Sequence, residues 1–225
     1  MRNKSVVIID VLRASTTIVT ALKNGAKAVI PVSDMGEASK IAQNVDSDNY
    51  LLCGEKDGVK IEGYDLGNSP LEFTNEMVGD KTLIFNTTNG TKAIKKSVGS
   101  SNIFIAAFLN VSAVVEILKT QKKDIVLFCA GWKGRLAFED MLLAGNIIHL
   151  LTNGKLPEDS TDGARVAHGI YSIYGKDIPK VIHKSNHATR LKSIVGTGDI
   201  DFCSQIDTTD IVPRLKDGMI TLNNG

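Results

Sequence analysis

One pattern recurs three times along this chain: a short apolar run, then a polar or glycine-containing loop, then a segment of helical periodicity. The three copies are VVIIDVLRAST from residue 6, LIFNTTNGT from residue 83 and LFCAGWKGR from residue 127. Short runs rich in β-branched residues favour buried strands, and strands that alternate with helices are typical of an α/β fold. We therefore predict a single α/β domain over residues 1–225, a three-layer α/β/α sandwich with a mixed, mostly parallel central sheet.

The same reasoning places the remaining elements. A first helix is expected from the hydroxyls after Arg13 to about Gly25. Further strands are expected near residues 26–32, 50–55, 103–109 and 219–222, and helices near 34–45, 91–97, 110–120, 136–151, 161–174 and 178–196. Two segments stay open. Asn89-Gly90 is also a strong hairpin signal, and residues 56–73 are either a functional loop or a misread element.

The charge balance argues against partners that need a strong global field. The chain has 26 basic and 25 acidic residues, which gives a formal net charge of +1. We therefore expect neither nucleic acid nor a membrane as a partner. The N-terminus leads straight into a strand, and no apolar run approaches the length of a membrane span. We expect a cytoplasmic protein without signal peptide or anchor.

The cysteines and histidines show no metal-ligand spacing. We interpret the three cysteines, which lie in apolar surroundings, as reduced core residues. They are Cys53, Cys129 and Cys203. We interpret the four histidines as surface or helix-face residues. They are His149, His168, His183 and His187.

Acidic and basic side chains follow the predicted strands. In an α/β sheet the loops after parallel strands meet at one edge, so we expect the three loops of the repeated pattern to share a crevice. Four carboxylates would be available there as catalytic groups or metal ligands: Asp10, Glu55, Glu139 and Asp140. Two guanidiniums, Arg13 and Arg135, would bind an oxyanion. Oxygen ligands without a histidine or cysteine set favour Mg²⁺, and a phosphate ester fits such a site.

Simpler structural roles are the alternative for these residues. Asp10 would then only cap the following helix, with Arg13 as its ion-pair partner. Glu139 and Asp140 would complement the dipole of their helix. The core face of that helix is expected at Leu136, Met141, Leu142, Ala144, Ile148 and Leu151. The dipole explains one acid there better than two adjacent ones, so both remain candidates for a metal ligand or base.

Three common phosphate-handling signatures are absent from the sequence. There is no GxxxxGK[ST] segment, so a P-loop nucleotidase is not favoured. A phosphatase of the haloacid dehalogenase type would carry a second Asp two residues after the first, and Leu12 stands there. No cysteine is followed by Arg at the spacing of a cysteine-based phosphatase. Any phosphate chemistry must therefore use a different constellation.

The segments IDVLRASTTI, CGE, GNSP, NTTNGT and FEDMLLAG, in this order and at these intervals, closely resemble the 2-phosphosulfolactate phosphatases of coenzyme M biosynthesis. The resemblance extends from about residue 5 to 215. It implies an Mg²⁺-dependent acid phosphatase that releases inorganic phosphate from a 2-phospho-3-sulfo carboxylic acid and leaves 3-sulfolactate. It also implies an α/β fold with a mostly parallel sheet between helix layers.

A substrate of this kind carries three anionic groups, which calls for more than one guanidinium and several helix N-termini. Arg13 and Arg135 would supply the cations. The expected neutral donors are Ser15, Thr16, Asn68, Ser69, Thr87, Thr88, Asn89 and Gly90. The expected partner is a small anionic phosphorylated substrate, and a homodimer is left open.

Two other functions remain open at this point. One is a hydrolase of the isochorismatase type, which needs a nucleophilic cysteine, and Cys129 is its candidate. The other is a binding module for phosphorylated metabolites without turnover. If the chain is a phosphatase, Asp10 either attacks phosphorus directly or serves as a metal ligand while water attacks.

Overall fold

The computed structural model describes residues 1–43 and 47–222. Its strands are β1 (Ser5–Ile9), β2 (Ala28–Val32), β3 (Tyr50–Lys56), β4 (Val59–Lys60), β5 (Thr82–Asn86), β6 (Asn102–Ala106), β7 (Ile125–Cys129), β8 (Arg214–Lys216) and β9 (Met219–Thr221). Its α-helices are α1 (Ala14–Lys23), α2 (Met35–Ala42), α3 (Asn75–Val78), α4 (Gly90–Ser97), α5 (Val111–Lys119), α6 (Phe138–Thr152), α7 (Asp162–Tyr174), α8 (Ile178–His183), α9 (Asn186–Val195) and α10 (Gly198–Cys203).

The strands of the described residues form one mixed sheet in the order β4-β3-β5-β2-β9-β8-β6-β1-β7. Two parallel groups dominate it, β6-β1-β7 and β3-β5-β2. The short β8–β9 hairpin joins them by pairing antiparallel with β6 and with β2. The predicted α/β class with a mixed, mostly parallel sheet is confirmed.

Helices cover both faces of the sheet. On one face α1 and α4 share a core with both parallel groups, through side chains such as Ile18, Ile94 and Phe85. On the opposite face α5 and α6 cover β1 and β6, while α2 covers β2, β3 and β5. The remaining helices from α7 to α10 add residues to the α5–α6 core. The layers are therefore helix, sheet and helix.

The loops after β1 and β5 meet, although the two strands do not belong to the same parallel group of the sheet. Three antiparallel pairings separate the two strands along the ladder. With an odd number of antiparallel pairings between them, β1 and β5 run in opposite senses, five positions apart in the sheet. The start of α4 nevertheless reaches the end of β1. A Cβ on Gly90 would lie 2.6 Å from Ala14 Cβ and 2.9 Å from Asp10 Oδ2. Only glycine fits where α4 approaches the end of β1.

Several local predictions are corrected. The hairpin alternative at Asn89-Gly90 is wrong, because Asn89 stands at the N-cap of α4. The irregular stretch 56–73 contains β4 and one 3₁₀ turn. The predicted end of α2 near Val45 lies outside the described residues. Residues 178–196 form two helices, α8 and α9, because Ser185 interrupts them and its hydroxyl accepts the N–H of Ala188 at 3.0 Å.

The prediction for α6 was also partly wrong. Leu136 is 59% exposed and precedes the helix. Leu142 and Ala144 are buried as predicted, and Met141, Ile148 and Leu151 pack partly buried against the core. Leu143, Ile147 and both acidic residues of the first turn are buried as well. None of the helices in the described part of the chain combines the length and apolar character needed to span a bilayer.

Gly145 allows α6 and α7 to approach each other closely. A Cβ there would clash with the Ala167 carbonyl oxygen and lie 2.7 Å from Tyr171 Cβ. Gly145→Ala should therefore destabilise the fold by about 1 to 3 kcal/mol, since backbone cannot move aside cheaply. Gly169→Ala is the matched control, because a Cβ there meets nothing within 4 Å and helix propensity should add about 1 kcal/mol or less. Urea unfolding of both variants measures the difference, and equal stabilities would contradict the close packing.

Candidate active site

A cleft opens where the loops after β1, β3, β5 and β7 meet the start of α9. Residues from all these segments line it, including Asp10, Arg13, Glu55, Asn89, Trp132 and His187. The cleft therefore collects groups that are far apart in the sequence. The expected shared crevice is present, but not because all four strands are parallel, since β3 and β5 run opposite to β1 and β7.

One buried carboxylate, Asp10, lines the cleft, and two more, Glu139 and Asp140, do not line it but bond to residues in or next to its wall. We call these three the carboxylate floor. Asp10 follows β1 and is 6% exposed, and Glu139 and Asp140 in the first turn of α6 are buried. Burial raises the pKa of Asp10 to about 6, against the opposing charge of His187 and with a further rise from the charges of Glu55 and Glu139. Burial and then the charges of Asp10 and Glu139 raise the pKa of Asp140 well above its usual value. The floor therefore concentrates negative charge that a cation would relieve.

Asp140 joins two loops through its carboxylate. One oxygen accepts the N–H of Val11 at 2.9 Å, and the other accepts the N–H of Gly131 at 3.0 Å. Val11 follows β1 and Gly131 follows β7, so α6 holds the ends of both strands in register at the cleft. This is a positioning role for Asp140, in addition to the catalytic or ligand role that the sequence predicted.

Glu55 also joins two loops through its carboxylate, at another part of the cleft. Its Oε1 accepts the N–H of Thr88 at 2.7 Å, and its Oε2 accepts the N–H of Gly58 at 2.6 Å. These bonds fix the loop after β5 and the turn between β3 and β4. Both of its oxygens are thus already used by the backbone.

Glu139 is the carboxylate with a free oxygen. Its Oε1 lies 2.7 Å from His187 Nδ1, while its buried Oε2 has no hydrogen-bond partner among the described residues. The imidazole of His187 stacks on the indole of Trp132, with ring centroids 5.1 Å apart and planes at 14°. A buried oxygen without a partner is costly unless a ligand or ion completes it.

Arg13 forms a buried ion pair, but not with Asp10. Its Nη1 donates to Asp199 Oδ2 at 2.5 Å, and its Nη2 donates to the Gly58 carbonyl at 3.0 Å. Ser69 donates to the other oxygen of Asp199 at 2.5 Å. The proposed pairing of Arg13 with Asp10 as a purely structural contact is therefore replaced by a pair with α10. Two bonds leave three of the five guanidinium N–H groups for a ligand.

Three predicted donors serve the fold instead of the cleft. The hydroxyl of Ser15 accepts the N–H of Asp10 at 2.9 Å. Thr16 is fully buried and donates to a carbonyl of the loop before α1. Thr87 accepts the N–H of Thr91 at 3.1 Å at the start of α4. These hydroxyls shape the loops that carry the site.

Other predicted donors do line the cleft. They are Asn68, Thr88 and Asn89. The Oδ1 of Asn68 is buried without a hydrogen-bond partner among the described residues, so this amide can take a contact from a ligand. Gly90 lies beside Asp10 at the start of α4.

The structure does not bring Arg135 to the cleft. Its side chain is exposed, and its backbone closes a tight turn with Trp132 through a pair of bonds of 2.9 Å. The cations at the cleft mouth are Lys133 and Arg190 instead.

His187, Trp132, Lys133 and Arg190 are site residues that the sequence analysis missed. His187 does lie on a helix face, but it is not a surface residue, because its side chain is 13% exposed and lies against Glu139. One local signal was available: His187, Arg190 and Leu191 follow the spacing of a single helix face. That spacing alone gives no hint of which loop the face meets.

The carboxylates fit an Mg²⁺ ion that is shared with a substrate. Among the described residues no three Asp, Glu, His or Cys side chains are already arranged to hold an ion. Each oxygen of Glu55 and Asp140 already accepts one backbone N–H, whereas Glu139 Oε2 accepts none, so Asp10 and Glu139 are the more available of the four expected ligands. Mg²⁺ commonly takes one or two protein carboxylates and completes its shell with water and phosphate oxygens. The oxygen donors and the orphaned Glu139 Oε2 match this chemistry.

No cysteine of the described residues lines the cleft. Cys129 Sγ lies 3.9 Å from Met141 Sδ, and burial raises the pKa of its thiol. A thiol in this environment is a poor nucleophile. The structure therefore gives no support to an isochorismatase-type reaction at Cys129.

Comparison with known proteins matches almost the whole chain. The family model described as 2-phosphosulpholactate phosphatase matches residues 1–218. A protein of Caldanaerobacter subterraneus subsp. tengcongensis is 43% identical over 220 residues, which are 98% of this chain and 91% of the relative. A protein of Pseudothermotoga lettingae is 45% identical over 208 residues, which are 92% of this chain and 87% of the relative. Both relatives carry the name probable 2-phosphosulfolactate phosphatase.

The raised pKa of Asp10 predicts a stability change in protein without metal. A carboxyl whose pKa rises from 3.8 to about 6 on folding stabilises the fold below pH 4 and loses this contribution as pH rises through 6. Asp10→Asn cannot ionise, so in EDTA at pH 8 it should be more stable than the wild type by up to about 3 kcal/mol. The gain should shrink steadily as pH falls from about 6 to 4.

Urea unfolding across this pH range, with EDTA, measures the effect. Asp57→Asn is the control, since this carboxylate also lines the cleft but its side chain is 57% exposed. A surface change of that kind usually alters stability by about 0.5 kcal/mol or less. An Asp10→Asn protein less stable than the wild type at pH 8 would contradict the conclusion that the ionised Asp10 carboxylate destabilises the metal-free fold.

Proposed function

The chain belongs to the 2-phosphosulfolactate phosphatase family, and we propose that it hydrolyses the phosphate ester of 2-phosphosulfolactate with Mg²⁺ as cofactor, giving 3-sulfolactate and inorganic phosphate. As a member of this family it is a phosphoric monoester hydrolase. A place in coenzyme M biosynthesis is part of the same proposal. The observation that carries it is the buried carboxylate floor beside the guanidinium of Arg13.

Three groups of the site would bind the ion and the phosphate. Asp10 and Glu139 would hold the ion, which supplies the positive charge that phosphate oxygens need during transfer. Arg13 would donate its remaining N–H groups to phosphoryl oxygens. Asp199 and Gly58 fix the guanidinium plane, so its fork is aimed before a ligand arrives.

Other residues keep these groups in place. Asp140 ties the loops after β1 and β7, and Glu55 ties the loop after β5 to the β3–β4 turn. His187 contacts one oxygen of Glu139, which leaves the other oxygen without a hydrogen-bond partner, so it would be available to the ion. The start of α4 lies against Asp10 and adds the positive end of a helix dipole for an anion.

The first experiment measures phosphate release from 2-phosphosulfolactate and from a panel of small phosphate monoesters. We expect turnover with Mg²⁺ and loss of turnover in EDTA, because the donors are carboxylates. Full recovery of metal-stripped protein with Zn²⁺ but not with Mg²⁺ would count against this cofactor. Tight substrate binding without any phosphate release would favour a binding module.

Asp10→Asn separates the two roles of this carboxylate. We expect turnover to fall by at least about 100-fold, the usual scale for a group that acts on the reacting atoms. Mg²⁺ affinity, measured by calorimetry, then decides the role. Retained affinity identifies a nucleophile, and lost affinity identifies a ligand. Normal rate and normal metal dependence would remove Asp10 from the chemistry.

Arg13→Lys tests the guanidinium fork. The lysine keeps the charge but cannot bond Asp199, Gly58 and substrate together in one plane, so we expect kcat/KM to fall by about 10-fold or more. Steady-state kinetics measure the loss, with Arg165→Lys on the exposed face of α7 as control. Unchanged kinetics in Arg13→Lys would place this residue outside the substrate site.

A further inference from the structure

Two cations stand at the mouth of the cleft, away from its carboxylate floor. Lys133 lies in the turn after β7, and Arg190 lies on α9, one helical turn beyond His187. Both side chains line the cleft. The roles proposed above for Asp10, Glu139 and Arg13 do not account for the presence of these two cations.

Their fold contacts leave most of their donors unused. Arg190 Nη1 donates to the Asp57 carbonyl at 3.2 Å, which is one of its five N–H groups. Lys133 Nζ lies 4.0 Å from Asp57 Oδ1, and both side chains are at least half exposed. An exposed pair at this distance stabilises little, so the charges remain available to a ligand.

The turn that carries Lys133 is held in an unusual shape. Lys133 has φ +51°, between Gly131 at +71° and Gly134 at +72°. The N–H of Gly131 is bonded to Asp140, so the turn is fixed to the same carboxylate that orders the floor. The ammonium of Lys133 lies 5.8 Å from the ring centroid of Trp132, which in turn stacks on His187. A lysine kept in a left-handed conformation at a site indicates a role for its position.

The charge distribution separates the cleft into two parts. On the floor, Asp199 pairs with Arg13, and the other ionisable groups are the carboxyl groups of Asp10, Glu139 and Asp140. At the mouth, Lys133 lies 4.0 Å from the carboxylate of Asp57, and Arg190 contacts the backbone carbonyl of Asp57 and has no ion pair among the described residues. An anion bound at the floor needs the ion, whereas an anion at the mouth meets an excess of positive charge.

We propose that Arg190 and Lys133 form a separate subsite for the sulfonate of the substrate. This inference rests on the proposed function. In 2-phosphosulfolactate the sulfur is one bond farther from the phosphorylated carbon than the carboxylate carbon is, so the sulfonate is the group that reaches the mouth when phosphate lies on the floor. A sulfonate has three oxygens, which match the several free donors of a guanidinium and an ammonium.

The kinetic experiment compares two substrates that differ only in this group, 2-phosphosulfolactate and 2-phospholactate. For Arg190→Gln we expect the ratio of their kcat/KM values to fall about 10-fold, mainly through a higher KM for the sulfonate substrate. Lys133→Gln should lower the same ratio in the same direction. Arg135→Gln is the matched control, because this arginine belongs to the same turn but lies outside the cleft.

A binding experiment gives a readout that does not depend on turnover. Trp132 is the single tryptophan of the chain and lies in the subsite, so its fluorescence should report occupancy. We expect the binding of 3-sulfolactate to shift this fluorescence. The substitution Arg190→Gln should raise the Kd for 3-sulfolactate about 10-fold more than it raises the Kd for lactate. Circular dichroism in the far and near ultraviolet checks that the variants are folded.

The outcomes are distinguishable. An unchanged selectivity ratio in Arg190→Gln, or an equal loss with both substrates, overturns the subsite. A selective loss in Arg135→Gln also overturns it, since the second cation would then come from outside the cleft. Wild-type protein that releases no phosphate but binds 3-sulfolactate through Arg190 would refute the proposed function and keep the subsite.

Discussion

The carboxylate of Asp140 is the contact on which the site depends. It accepts one backbone N–H from the loop after β1 and one from the loop after β7, at 2.9 and 3.0 Å. A buried carboxylate that accepts two such bonds holds the two loops in a fixed relative position. It fixes Asp10 on one side and the Trp132 turn on the other, so both the floor and the mouth of the cleft are set from α6.

The fold tolerates a concentration of buried acids at this point. Burial raises the pKa of Asp10 to about 6, and the neighbouring charges of Asp10 and Glu139 raise the pKa of Asp140 further. Such an arrangement is unfavourable for stability and useful for holding a cation and a phosphate. Sites built for function commonly show this conflict, and the packed cores on both faces of the sheet offset it.

Sequence patterns located some residues well and others poorly. Asp10, Asn89 and Gly90 follow strands directly, so strand periodicity placed them at the cleft. The sequence predicts Arg135 from the correct loop, but in the folded loop, which has positive φ at Gly131, Lys133 and Gly134, Lys133 lines the cleft and Arg135 does not. His187 and Arg190 come from a helix without any strand-end signal, and only the packing of α9 against the cleft reveals them.

The sequence by itself determined the α/β class, the repeated strand–loop–helix units and the family, because these depend on local periodicity and on ordered motifs. Tertiary structure alone decided how the units face each other. The β8–β9 hairpin reverses the sense of the sheet between β1 and β5, and the packing of the start of α4 against Asp10 places both loops at one cleft. Partner choice was also decided there: Arg13 pairs with Asp199, 186 residues away, because α10 packs beside the β1 loop, and no local pattern encodes a contact of that range.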